Sequence, residues 1–115
     1  MNKDKAYVDD VLNAMRDVVT YVGDMRLEAF AADRMKVDAI HRKLEIMGEA
    51  TKRLSAALRD AHPEIPWKKM AGMRDKLIHG YDEIELDEVF NAVTVVIPPL
   101  IPKVEAILNA LLDPD

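Results

Sequence analysis

The stretch VDAIHRKLEIMGEATKRLSAALRDA, residues 37–61, decides the fold. Val37, Ile40, Leu44, Met47, Thr51, Leu54, Leu58 and Ala61 recur at alternating steps of three and four, the signature of one helix face held over about seven turns. The spacing predicts a long helix with an apolar seam. Gly48 sits beside that seam, where a missing side chain lets a neighbouring helix come close. Asp33 is placed to cap the start of this helix, and HPEIPW (62–67) ends it, because Pro63 and Pro66 cannot continue a helical hydrogen-bond ladder.

Working outward, the same period recurs on both sides. Val8, Val11, Leu12, Met15, Val18, Val19 and Val22 line one face of a first helix, with Gly23 as its stop, and RLEAFAADR (26–34) reads as a short helical piece. Downstream, Trp67 to Ile78 forms a fresh helix punctuated by Gly80. A last helix runs from Leu86 to Leu111, kinked or restarted by Pro98, Pro99 and Pro102. No useful length alternates with a period of two. The expected fold is all-α, an antiparallel up-and-down bundle of four main helices plus a short one, and 115 residues make a single domain spanning 1–115.

Composition narrows the function classes. There is no cysteine, so neither disulfides nor thiolate metal sites arise, and a reducing compartment follows. MNKDKAYVDD lacks the apolar run of a signal peptide, and AVTVVIPPLI is broken by prolines before it reaches the length of about 20 residues that spans a bilayer. A cytoplasmic protein without a membrane partner is expected. The net charge of −5 conceals an asymmetry: residues 34–79 hold eleven Lys or Arg against six Asp or Glu, between acidic ends. A basic centre of this kind can receive an anion.

The chemistry-bearing residues cluster in GMRDKLIHGYDEIE (72–85). Asp75 and His79 are four apart and share a helix face, so the carboxylate can hold one imidazole nitrogen and set its tautomer. Arg74 and His79 lie about 140° apart on a continuous helix and do not converge on one ligand. With Tyr81 beyond Gly80, the chain offers a permanent cation, a base titrating near neutrality, an orienting acid and a phenol. These groups suit phosphoryl chemistry on RNA without a metal, in which a base takes the 2′-hydroxyl proton and a cation holds the transition-state charge. A single histidine here for acid and base roles favours a two-fold dimer. On spacing alone, the same residues also describe an ordinary solvated helix end.

Other residues read as structural: His41 and His62 stand without metal-ligand spacing, Glu45 and Glu49 belong to a charged face, and Trp67 is a core or interface anchor. Glu49, next to Gly48, is kept as a possible cleft residue. The methionines read as gap-fillers in an aliphatic core.

The run HPEIPWKKMAGMRDKLIHGYDEIELDEVF (62–90), together with DRMKVDAIHRKLEIMGEATKRL (33–54), resembles the HepT-like ribonucleases of the HEPN superfamily. Their pattern of Arg, four residues, His, one residue, Tyr is complete here as Arg74, His79 and Tyr81. The resemblance implies a small helical homodimer acting as a metal-independent endoribonuclease toxin of a type VII-like toxin–antitoxin pair, with the motifs of both protomers meeting in one cleft. It implies Arg74 and His79 as catalytic residues on an RNA substrate and Asp75 and Tyr81 in support, with no cofactor. It also implies a cognate minimal nucleotidyltransferase antitoxin that attaches AMP to Tyr81, adding bulk and negative charge where an RNA phosphate must sit. A catalytically silent helical adaptor that docks a nucleotidyltransferase, or a plain helical dimerisation protein, is the competing expectation.

Overall fold

The computed structural model describes residues 3–79 and 86–112, the side chains of His79 and Leu112 excepted. Among the described residues every regular element is helical: α1 (Asp4–Val22), α2 (Leu27–Ala32), α3 (Arg34–Arg53), α4 (Ala56–Ala61), α5 (Trp67–His79), α6 (Leu86–Asn91) and α7 (Ile101–Leu112). A π-helical turn at Ala92–Val96 and a 3₁₀ turn at Pro98–Leu100 join α6 to α7.

The face predicted for α1 is the buried one: Val8, Val11, Leu12, Met15, Val18 and Val22 are all in the core. Gly23 closes the helix at φ 53°, a left-handed conformation that glycine adopts without a side-chain clash, and its N–H donates to the Val19 carbonyl at 3.0 Å. Asp33 caps α3 as expected, accepting from the Lys36 N–H at 3.0 Å.

The long helix departs from its expected length. It stops at Arg53; Leu54 and Ser55 turn extended, and a second short helix, α4, follows. Ser55 Oγ accepts from the Leu58 N–H at 3.2 Å, while the two Asp4 carboxylate oxygens take the Ser55 N–H (2.9 Å) and hydroxyl (2.6 Å). A Ser cap is ordinarily worth about 1 kcal/mol. Here a carboxylate from the start of α1 reinforces it. Leu54 and Leu58 remain buried across the break, which is why the apolar spacing does not reveal it; Ala61 is exposed.

The prolines act differently from a simple kink. Pro98 and Pro99 have no N–H to donate, and the ladder passes them by widening and then tightening: Ile97 N–H bonds Ala92 O at 2.8 Å, and Leu100 N–H bonds Ile97 O at 2.8 Å. Pro102 falls in the first turn of α7, where no intrahelical donor is missed. Within the 26-residue helical run Leu86–Leu111 an 18-residue window reaches a mean hydropathy of 1.4, so the run is long and apolar enough, by length and composition, to cross a bilayer. Val89, Val93, Ile97, Leu100, Val104 and Ile107 pack one face of it into the core, while Val95 and Val96 on another face are exposed.

Helix α3 runs antiparallel to α1, since Asp4 meets Ser55 at one end of the pair while Lys43 meets Asp17 at 2.9 Å farther along. This is the most extensive helix contact; α5 also packs on α3, and α7 on α1. Phe30 of α2 closes the core against Phe90 with ring centroids 5.6 Å apart. Trp67 is a core anchor, its indole N–H donating to the His62 carbonyl at 2.9 Å.

His41 is structural, only 3% exposed. Burial pushes its proton affinity below the ordinary value of about 6.5, against the opposing pull of Asp38 and Glu45. The unfolded chain therefore binds a proton that the folded one resists as pH falls. Stability is expected to decline on acidification through about pH 6.5, and His41→Leu to flatten that decline, read from urea midpoints at pH 7.5 and 5.5.

Candidate active site

At Gly48, α3 and α5 approach closely. A Cβ there would lie well inside contact distance of Arg74 Cβ and 2.9 Å from the Met70 carbonyl oxygen. The absent side chain lets the first carbons of Arg74 rest on the α3 backbone. This places the guanidinium beside the next residue, Glu49.

Arg74 is gripped from both helices. Nη2 forms an ion pair with Glu49 Oε2 at 2.8 Å and Nη1 donates to Asp75 Oδ1 at 3.1 Å, leaving the side chain 22% exposed. Glu49 Oε1 also accepts from Arg53 Nε at 3.2 Å, and Asp75 Oδ1 from Lys52 Nζ at 2.9 Å. The result is an alternating chain, Arg53, Glu49, Arg74, Asp75, Lys52, with three cations and two carboxylates. A surplus of one positive charge remains. Arg74 Nε is buried and has no hydrogen-bond partner among the described residues. Two carboxylates on separate nitrogens fix the plane of the guanidinium, and three of its five N–H bonds stay outside these ion pairs.

Lys52, and after it Arg74, holds the Asp75 carboxyl below the ordinary carboxylate range. Asp75 is therefore an anion near neutrality, and its partners among the described residues are these two cations. His79 closes α5, but its side chain, like the whole of Gly80 and Tyr81, lies outside the described residues. The structure thus seats Arg74 and Asp75 together. Glu49 joins them, while Glu45 stays apart from this chain of ion pairs. Lys52 and Tyr7 are additions that spacing along one helix does not signal, whereas Arg53 stands four residues from Glu49 on α3. Tyr7 and then Glu49 raise the proton affinity of the Arg53 guanidinium, which links α1 to the same network.

Beside this network lies a cleft of about 310 Å³ with α3 as its floor, Tyr7 and Asp10 of α1 on one wall, and Arg74 and Ile78 of α5 on the other. A permanently charged, pre-oriented fork at the wall of a cleft is suited to a phosphate oxygen whose charge grows during reaction.

Comparison with known proteins bears on this site. The family model described as "Ribonuclease HepT-like" matches residues 11–107. The chain is similar to "Probable ribonuclease HepT" of Thermococcus cleftensis, 38% identical over 101 residues that cover 88% of this chain and 92% of that one. It is also similar to "Putative RNase MJ0125" of Methanocaldococcus jannaschii (36% identical, 93% and 92% covered) and to "Putative RNase TTE0752" of Caldanaerobacter subterraneus (35%, 95% and 97%). No solved structure gives a significant match.

Proposed function

This chain belongs to the HepT-like ribonuclease family, and from that premise we propose that it is a metal-independent endoribonuclease using Arg74 and His79. The observation that carries the reading is the seat of Arg74, oriented by Glu49 and Asp75 at a cleft wall within a complete Arg-x4-His-x-Tyr motif. In the reaction His79 takes the proton of the 2′-hydroxyl, the freed oxygen attacks the adjacent phosphorus, and the 5′-oxygen leaves with a proton. The products are a 2′,3′-cyclic phosphate and a 5′-hydroxyl. Arg74 stabilises the equatorial oxygens as the second negative charge develops.

The finer reading follows the family. The active unit is a homodimer in which the motifs of two protomers share one cleft, so that two histidines supply the separate acid and base. The protein is the toxin of a pair whose antitoxin, a minimal nucleotidyltransferase, silences it by attaching AMP to Tyr81; the adduct's negative charge then meets incoming RNA.

The test is to incubate purified protein, shown by mass to carry no AMP, with a mixed RNA pool in EDTA. Cleavage is the expected result. Intact RNA would overturn the enzyme reading and leave a silent adaptor as the better description.

A further inference from the structure

We propose that the cleft over α3 receives the nucleobase adjoining the scissile phosphate, and that Glu45 and Asp10 select bases carrying an amino group. The proposal rests on the RNA-cleaving reading and adds a specificity to it. Arg74 is both the phosphate-binding cation of that reading and a wall of this cleft, so a phosphate held by Arg74 brings an attached nucleoside to the cleft mouth. At about 310 Å³ the cleft is at the lower end of the range for small-molecule sites, room for one flat heterocycle.

Its lining fits a base better than a second phosphate. Ile46 and Ala50 form an apolar floor, Ile78 is 46% exposed, and Tyr7 offers an aromatic ring. Unstacked bases bind on such surfaces. Around them stand three cations, Arg42, Arg53 and Arg74, and three acids, Asp10, Glu45 and Glu49, so the lining has no net charge.

The acids divide into two kinds. Glu49 is occupied by two arginines. Asp10 and Glu45 have no ion-pair partner within 4 Å among the described residues, which leaves two carboxylates facing the cleft as acceptors without donors. A carboxylate in a nucleic-acid cleft repels phosphate and carbonyl oxygens, and is favourable only where it accepts an N–H. Cytosine N4, adenine N6 and guanine N2 supply amino donors. Uracil instead presents two carbonyl oxygens flanking its one N–H, and is the base that this lining rejects.

The experiment has two arms. In the first, product ends from a mixed RNA pool are sequenced for the wild type and for Glu45→Gln, whose amide donates as well as accepts. Expected is a depletion of uridine of about tenfold or more at one nucleotide flanking the cut, falling below about threefold in Glu45→Gln. Equal use of uridine by the wild type, or an unchanged depletion in the variant, overturns the proposal. In the second, the Ile46 and Ile78 methyl resonances are followed while 2′-deoxy-substituted oligonucleotides, which cannot be cleaved, are added. Shifts at both methyls with cytosine but not with uracil support the base site. Binding without those shifts, or no binding at all, removes it. Methyl shifts without cleavage of the matching ribo-oligonucleotide would leave the base site standing and sink the RNase reading.

Discussion

Arg74→Ala is expected to lower the single-turnover cleavage rate by about 10³-fold, and Arg74→Lys by about 10²-fold, magnitudes typical of losing one oriented group that meets developing charge. The lysine variant is the informative one. It keeps the charge but loses the planar fork that Glu49 and Asp75 hold by different nitrogens at 2.8 and 3.1 Å. In the alanine variant those two carboxylates lose their shared cation and face the incoming phosphate, so repulsion adds to the loss of stabilisation. Arg53→Lys is the comparison: its side chain is 57% exposed and sits at the outer end of the network, where solvent screens the pair, and its effect should stay within a few-fold. An Arg74→Lys variant that cleaves as fast as the wild type would show that net charge, not the oriented fork, carries the effect.

Gly48→Ala should lower the melting temperature by about 10 °C, although alanine is normally the better helix residue by about 1 kcal/mol. The new Cβ would press on Arg74 Cβ and approach the Met70 carbonyl oxygen at 2.9 Å, and one of these contacts is backbone that cannot step aside without moving α5. Overpacking of this kind costs typically 1–3 kcal/mol and sometimes more. The outcome is a net loss of roughly 2 kcal/mol after the helix gain is subtracted. Because the separation of α3 and α5 also sets the reach from Arg74 to Glu49, cleavage should fall even at temperatures where the variant is fully folded. A melting temperature at or above that of the wild type would contradict the close approach.

Much of this architecture was legible in the order of residues, and the exceptions share a cause. The α1 face, the Asp33 cap and the role of Gly48 as a contact point are local features of pattern, and each is found as read. The break after Arg53 is not local. Ser55 is a capping residue in its own right, but the carboxylate that reinforces it comes from Asp4, on another helix, while Leu54 and Leu58 keep the apolar rhythm running across the gap. The π turn before Pro98 is a similar case: the prolines announce a disturbance, but whether the ladder widens or breaks depends on the packing of Val93 and Ile97 in the core. At the site, spacing along one helix finds Asp75, whereas Lys52 and Glu49 reach the network across the α3–α5 contact, which no single-helix count contains.

The identity of the ends left by cleavage tests the central claim most directly. An oligoribonucleotide cut once by the wild-type protein in EDTA should give, by mass, a 2′,3′-cyclic phosphate on the upstream fragment and a 5′-hydroxyl on the downstream one. A single 2′-deoxy substitution at the cut should abolish the reaction, as should His79→Ala. A 3′-hydroxyl with a 5′-phosphate, or cleavage that survives the 2′-deoxy substitution, would mean that water and not the neighbouring hydroxyl attacks, and the account of Arg74 and His79 would be wrong.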